Sequence, residues 1–157
     1  MDRPHVNLHY ERTFPYPVEQ AYAWLTDYQD DDPQRTSAVV AKRDVVRREG
    51  NEVEVEGILD VLGQRTRGRA VIKLFPEEKR WEAHIGKGSR WVFTYRLVPV
   101  AEGSRLLIDY RMGSRRWTRR ALLTILKPLI RRRLDVMWDG FAASMARELA
   151  AGAAPRA

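Results

Sequence analysis

Several features common in proteins are scarce or missing in this chain of 157 residues. It contains no cysteine, which excludes disulfides, thiolate catalysis and cysteine-ligated metal sites and favours a cytoplasmic location. No apolar run reaches the roughly 18 residues that a membrane-spanning helix needs. The opening residues, MDRPHVNLHY, lack the apolar centre of a secretory signal. These absences predict a globular, cytoplasmic protein.

Recognisable catalytic and cofactor motifs are also missing. The sequence has no Gly-x-Ser-x-Gly, no glycine-rich phosphate loop and no pair of histidines at helical spacing. Its three histidines are His5, His9 and His84, and no carboxylate lies at ligand-like spacing from the first two. We therefore predict no metal and no cofactor. Whether the protein is an enzyme stays open, with the sequence leaning towards none.

Positive charge is concentrated in one segment. The formal net charge is +7, and lysine accounts for only five of the 28 basic residues. No acidic residue lies between Asp109 and Asp135, whereas nine basic residues do, so the remainder of the chain is net negative. A local basic patch of this kind argues against a general nucleic-acid binder.

Apolar periodicity and turn residues predict one strand, one or two short helices, six further strands and a long closing helix. The first strand covers 5–14, and a helix begins at Val18 after two prolines. The polar segment DYQDDDPQRTS allows a short second helical turn. Six strands joined by hairpin-length turns follow, over 38–49, 52–62, 66–75, 79–85, 89–100 and 104–112. The last helix, Ser114 to Ala151, is the element long enough to cover such a sheet.

Two passages carry a resemblance to a known superfamily. VEQAYAWLTD, from Val18 to Asp27, is similar to a helix of the form VxxAWxxLTD, and PLIRRRLDVMWDGFAASMAREL is similar to the closing helix of many bacterial members. With this element order, the chain resembles the START-like superfamily, also called SRPBCC, which includes pollen-allergen-type proteins, lipid-transfer START domains and polyketide cyclase/dehydrase-like proteins. The resemblance implies an α+β helix-grip fold, with a curved antiparallel sheet of about seven strands around the C-terminal helix. It also implies one domain over 1–157, in which 152–157 form a flexible tail.

The same resemblance implies a cavity between the sheet and the last helix that holds a hydrophobic small molecule or a lipid. Aromatic walls with hydroxyl tips are typical of apolar ligand pockets. The alternative is that the same rings only fill the core. The predicted wall residues are Trp81, Trp91, Phe93, Tyr95, Tyr110 and Met112 on the strands, and Leu126, Ile130, Met137, Trp138 and Phe141 on the helix.

A rival hypothesis is an enzyme of the cyclase/dehydrase type, acting on an aromatic or polyketide-like substrate. It requires an acid or base near a ligand carbonyl, and the candidates are Tyr95, Tyr110 and His84.

The first half of the closing helix has more apolar surface than one sheet contact requires. Stepping about 100° per residue separates two stripes. The first stripe should grip the sheet and comprises Leu123, Leu126, Ile130, Leu134, Met137 and Phe141. The second stripe comprises Trp117, Ala121, Leu122, Ile125 and Leu129. Pro128 cannot donate to the carbonyl of Thr124, so a kink or break is expected there.

Three coverings are open for the second stripe. They are the loop around Asp30 to Pro33 with the first helix, a second subunit in a homodimer, and an anionic membrane surface. A third hypothesis for function is therefore an interaction module built on the arginine-rich half-helix 115–133. Its predicted surface comprises Arg116, Trp117, Arg120, Ile125, Leu129 and Arg131. Nucleic acid is the least favoured partner, because the stripe is mainly aliphatic and offers no set of stacking rings.

Overall fold

The computed structural model describes residues 5–28, 40–61, 64–86, 91–113 and 116–152. The elements follow in the order β1 (His5–Phe14), α1 (Val18–Leu25), β2 (Val40–Glu49), β3 (Glu52–Val61), β4 (Gln64–Phe75), β5 (Arg80–Ile85), β6 (Trp91–Val100), β7 (Gly103–Gly113), α2 (Trp117–Ile125) and α3 (Lys127–Ala150). This is the predicted α+β helix-grip fold. Most of the segment predicted to hold a second helical turn lies outside the described residues, and so does the predicted tail beyond Gly152.

Within the described residues, seven strands form one antiparallel sheet in the order β1-β7-β6-β5-β4-β3-β2. The meander runs from β2 to β7, and β1 pairs with β7 so that the first and last strands of the chain are neighbours. Two register shifts interrupt the β2–β3 pairing, between Val40 and Lys42 and between Val45 and Arg47. Such irregularities bend a strand and strengthen its twist, so they curve this end of the sheet.

The core lies between the concave face of the sheet and α3, as the alternation in β7 predicts. Leu106, Ile108 and Tyr110 are buried, whereas Arg105 and Asp109 on the opposite face of the strand are exposed. The helix buries Leu134, Trp138, Ser144 and Met145. Burial of apolar side chains on both surfaces is the main force that holds the helix on the sheet.

Hydrogen bonds between side chains tie α3 to β1 and to α1. The Tyr10 hydroxyl on β1 donates to Asp135 Oδ1 at 2.7 Å. The Trp24 indole on α1 donates to Glu148 Oε2 at 3.0 Å. Each bond joins residues more than 100 positions apart in sequence. These hydrogen bonds, together with packing, therefore fix the rotation of α3 about its own axis.

The closing helix is broken, as Pro128 predicts. The first piece, α2, ends at Ile125, Leu126 is a turn residue, and Pro128 stands in the first turn of α3. The amide of Leu126 donates to Leu122 O, and the amide of Ile130 donates to Leu126 O, both at 2.9 Å. Proline is tolerated in a first helical turn because amides there have no partner within the helix. The break therefore divides a sheet-gripping helix from the shorter helix before it.

The stability of the fold should decrease at alkaline pH because of Tyr10. Burial, and then the hydrogen bond to Asp135, raise the Tyr10 pKa from 10.0 to about 12. The unfolded chain loses this proton first, so the stabilisation is complete below pH 10 and is lost as the pH rises towards 12. Denaturant titrations between pH 10 and pH 12 measure the free energy of unfolding. This free energy should fall less steeply with pH for Tyr10→Phe than for the wild type. Identical pH profiles for the two proteins would contradict this assignment.

Candidate functional site

A cavity of about 290 Å³ lies between the concave sheet face and the helices. All seven strands contribute to its wall, together with the end of α1 and one side each of α2 and α3. Side chains from the middle of the sheet, such as Ile72 and Trp81, form its floor, and α3 covers it with Met137 and Trp138. The wall is mainly apolar, which suits a hydrophobic ligand better than a charged one.

The structure brings together every predicted wall residue except Leu126. The strands contribute Trp81, Trp91, Phe93, Tyr95, Tyr110 and Met112, and the helix contributes Ile130, Met137, Trp138 and Phe141. Leu126 does not line the cavity. It lies at the junction between α2 and α3, where the helix break takes it out of the regular helical spacing on which its prediction depended. The rings therefore leave space between them in addition to packing together.

The aromatic wall is a connected set of rings. Trp81 and Tyr95 stack with centroids 5.0 Å apart and planes 5° from parallel. Phe93 and Tyr110 meet edge to face at 4.7 Å, and Tyr95 contacts Trp138 of α3 at 6.4 Å. Offset and edge-to-face pairs of this kind are favoured by the charge distribution of the rings. The cavity is thus bounded by side chains that hold one another in place.

Tyr95 and Tyr110 contribute hydroxyl groups to this wall. The Trp138 indole donates to the Tyr110 hydroxyl at 3.4 Å. The Tyr95 hydroxyl makes no side-chain hydrogen bond in the part of the chain that the structure describes. Burial raises the pKa of Tyr95 well above its usual value, and the neighbouring hydroxyls of Tyr110 and Tyr28 add to the increase. Burial likewise raises the pKa of Tyr110. Both hydroxyls are therefore protonated at neutral pH, and that of Tyr95 is available as a hydrogen-bond donor.

One end of the cavity is polar, and the sequence did not reveal it. We call Asp27, Tyr28, Arg43 and Tyr95 the polar end, since all four line the cavity and Arg43 lies over the Tyr28 ring at 5.4 Å. The Arg43 guanidinium also acts on the Tyr95 pKa, which it lowers against the larger effect of burial. Arg48 holds the loop side of this end in place by donating to the carbonyls of Asp27 and Tyr28, at 2.8 and 3.0 Å.

Arg43 corrects an expectation from the alternation of charges. In the sequence, Glu52, Glu54 and Glu56 alternate with other residues, which predicts that they face Arg43, Arg47, Arg67 and Arg69 in cross-strand ion pairs on the outer face. In the structure Arg43 pairs in register with Gly57, and the two residues line the cavity together. Arg43 shares the inward face with Val45, and the register shift between Val45 and Arg47 places Arg47 on the outer face. A pair of glycines at facing positions, Gly57 and Gly68, was the available signal that this end of the sheet leaves room for a long side chain.

The other predicted ion pairs of the outer face are present. Glu54 pairs with Arg69 at 2.5 Å and approaches Arg47 at 3.8 Å, while Glu56 pairs with Arg67 at 3.5 Å. These pairs join neighbouring strands across the convex face. The arginines of these pairs are exposed to solvent, so each pair contributes little to stability, and together the pairs position the strands.

His9 and His84 lie outside the cavity wall. His84 Nε2 is 2.9 Å from Glu82 Oε2 and does not line the cavity, so it is not placed to act on a ligand there. His9 contacts Asp109, its cross-strand neighbour, on the exposed face. Among the described residues, no group of three or more histidine, aspartate or glutamate side chains is arranged to hold a metal.

The second apolar stripe is exposed. Trp117 and Ile125 retain 72% and 73% of their accessible surface, and Leu122 and Leu129 are also exposed. Helix α1 therefore does not cover the stripe, and the loop from Asp30 to Pro33 lies outside the described residues. On its other side α2 contributes Leu123 to the cavity wall. In the described segments, no helix is both long enough and apolar enough to cross a membrane.

Comparison with known proteins agrees with this architecture. A family model described as "Polyketide cyclase / dehydrase and lipid transport" matches residues 5–146. No curated protein matches the chain in sequence.

Solved structures share the fold at low sequence identity. A protein from Thermus thermophilus, TTHA0849, is 19% identical with a TM-score of 0.77, over 90% of this chain and 98% of that chain. The Zhui aromatase/cyclase from Streptomyces sp. R1128 is 11% identical with a TM-score of 0.77, over 93% and 96%. A START superfamily protein from Mycobacterium smegmatis is 14% identical with a TM-score of 0.61, over 92% and 99%. Similarity at these identities concerns the fold.

Proposed function

Because the chain belongs to the polyketide cyclase / dehydrase and lipid transport family, we propose that it binds a hydrophobic small molecule or lipid between the sheet and α3. The observation that supports this most is the aromatic-walled cavity of about 290 Å³. A volume of this size is near the lower end of the range for small-molecule sites, and burial of apolar ligand surface there would provide the driving force. The ligand would be held by shape and by exclusion of water.

The polar end suggests how such a ligand is oriented. The Tyr95 hydroxyl is protonated at neutral pH and makes no side-chain hydrogen bond within the described ranges, so it can donate to a ligand. Tyr95 lines the cavity, and a ligand oxygen there would give its hydroxyl a hydrogen-bond partner. The proposed ligand accordingly has an apolar body and one acceptor group, such as a carbonyl or a carboxylate, directed at Tyr95.

Native mass spectrometry of the purified protein provides the first test. Retention of an apolar molecule through purification would appear as an added mass, which is released when the protein unfolds. A purified protein that carries no added mass, and that also fails to bind any of a panel of apolar dyes after organic extraction, would overturn the binding proposal.

Substitution of Tyr95 by phenylalanine tests the orientation. We expect the affinity for 1-anilinonaphthalene-8-sulfonate, which carries acceptor oxygens, to fall by about five- to tenfold, the value of one lost hydrogen bond. The affinity for pyrene, which has no acceptor, should be unchanged. Both affinities are measured by fluorescence titration, and Tyr10→Phe serves as the control because Tyr10 is buried outside the cavity wall. Equal losses for the two dyes would exclude a specific hydrogen bond.

A cyclase/dehydrase-type enzyme is the second candidate, and the two protonated hydroxyls in the cavity favour it. Tyr95 or Tyr110 would donate a proton to the carbonyl of an aromatic or polyketide-like substrate. The test is cyclisation of a poly-β-keto thioester by the purified protein. Tyr95→Phe should lower kcat by about 100-fold if Tyr95 is the acid. An unchanged kcat for Tyr95→Phe would show that Tyr95 is not the acid.

A further inference from the structure

Helix α2 presents an apolar surface that no described element covers. Trp117, Leu122, Ile125 and Leu129 are exposed along one side of α2 and the first turn of α3, and Ala121 lies among them. Leu123 and Ile130, which line the cavity, lie on the opposite side. A helix of a protein that only folds on itself needs one apolar face, and this segment has two. Within the described residues the outer face has no cover, so it is available to a partner outside the fold.

Basic residues flank this surface on both sides. Within α2, stepping about 100° per residue places Arg120 beside one edge of the stripe and Arg119 beside the other. Beyond the helix break, Arg131 donates to His9 O at 3.0 Å and Arg133 lines the cavity. The segment contains no acidic residue until Asp135. The partner must consequently offer negative charge beside an apolar interior, over an area that a helix of four turns can cover.

A second copy of the chain does not satisfy this requirement. A symmetric dimer through α2 would bring together two segments that both have an excess of basic residues and no carboxylate to pair with them. Like charges held together in an interface repel, and the cost increases as water is excluded. An anionic lipid surface offers both properties at once, because its phosphates lie directly above the acyl region.

We infer that α2 and the first turn of α3 form a docking site for an anionic lipid surface. Trp117, Leu122, Ile125 and Leu129 insert below the headgroups, and the flanking arginines contact the phosphates. Tryptophan and arginine are both favoured at this depth, the first for its amphipathic ring and the second for its fork of donors. This inference does not depend on the cavity being occupied. It does place on the membrane the helix α2, whose opposite side contributes Leu123 to the cavity wall.

Vesicle flotation with the full chain tests the inference. The protein should float with vesicles of phosphatidylcholine containing one third phosphatidylglycerol, and it should not float with phosphatidylcholine alone. Increasing salt should weaken the binding, because exposed charges are screened. Ile125→Glu should lower the partition coefficient on anionic vesicles by at least about tenfold, since it removes an inserted side chain and adds a negative charge.

Matched variants separate docking from a general change of charge. Val46→Glu introduces the same charge at an exposed aliphatic residue of β2 and should bind as the wild type does. Arg120→Gln should weaken binding by about fivefold, the value of one basic residue at an anionic surface. Arg105→Gln, on β7, is its control and should weaken binding less. Trp117→Ser repeats the apolar test at a second exposed position, and circular dichroism checks that each variant is folded.

Three results would overturn the inference. The first is wild-type protein that fails to float with anionic vesicles. The second is Ile125→Glu protein that binds them as the wild type does. The third is a wild-type dimer, seen by analytical ultracentrifugation, that Ile125→Glu converts to a monomer, since a second copy would then cover the stripe. None of these results bears on ligand binding in the cavity, which the dye titrations measure separately.

Discussion

Replacing Gly103 by alanine is expected to lower the free energy of unfolding by about 3 kcal/mol or more. Gly103 opens β7 with a φ of +137°, a conformation that L side chains rarely adopt. A Cβ atom at this position would lie 2.6 Å from Tyr16 N and 2.9 Å from Pro15 C, and still closer to Phe14 O. All three are backbone atoms, so no side-chain rotation relieves the contact. The turn between β1 and α1 must move instead.

Gly50→Ala is the matched control for this prediction. Gly50 also has a positive φ, of +55°, but an added Cβ there meets no atom within 4 Å. The free energy of unfolding of Gly50→Ala should fall by only about 1 kcal/mol, which is the cost of the backbone conformation alone. Chemical denaturation followed by circular dichroism measures both variants. If the two losses were equal, the close approach of the β1–α1 turn to Gly103 would have no energetic consequence.

The Gly103→Ala substitution should also affect the cavity, because the displaced turn leads into α1. The turn that packs on Gly103 leads directly into α1, whose end supplies Trp24 and Leu25 to the cavity wall. Trp24 also donates to Glu148 of α3. A displaced turn would therefore shift the contact between α1 and α3 as well as the strand end. The variant should bind apolar dyes more weakly than its remaining folded fraction accounts for.

Most of the fold was predictable because strands and turns leave short-range signals. Alternation in 104–112 places Leu106, Ile108 and Tyr110 on one face, and the structure buries all three. The same alternation identified the aromatic wall, since a period of two assigns each ring to a face regardless of its partners. Pro128 predicted the helix break, since the missing amide is a local property of the chain.

The errors came where a local interruption changes the period. A register shift between Val45 and Arg47 places Arg43 and Arg47 on opposite faces, and no composition signal in β2 marks that shift. Leu126 lies at the helix break, where the helical spacing used to place it no longer applies. The partner of the outer stripe on α2 was beyond prediction for another reason. Periodicity reports that a face is apolar, and it carries no information about the molecule that covers it.

Filling the cavity from Gly68 is expected to have the largest effect on binding. Gly68 lines the cavity, and on the same face of β4 its neighbours Ala70 and Ile72 also line it. A Cβ added at Gly68 meets no atom within 4 Å, and its φ is outside the range that disfavours side chains. Phenylalanine at this position would therefore extend into free space beside Gly57 and Arg43 without strain in the backbone.

Gly68→Phe should lower the affinity for apolar dyes by about 100-fold, because forcing a ligand into occupied space costs roughly 1–3 kcal/mol. The fold should remain as stable as the wild type or more so, since glycine inside a strand weakens it and an aromatic residue does not. Thermal melts and dye titrations of the same sample measure both quantities. Gly68→Ala is the control, and its single methyl group should change the affinity by less than about fivefold. Full dye binding by a stable Gly68→Phe protein would show that the ligand occupies some other part of the molecule, because this substitution removes the space without removing the fold.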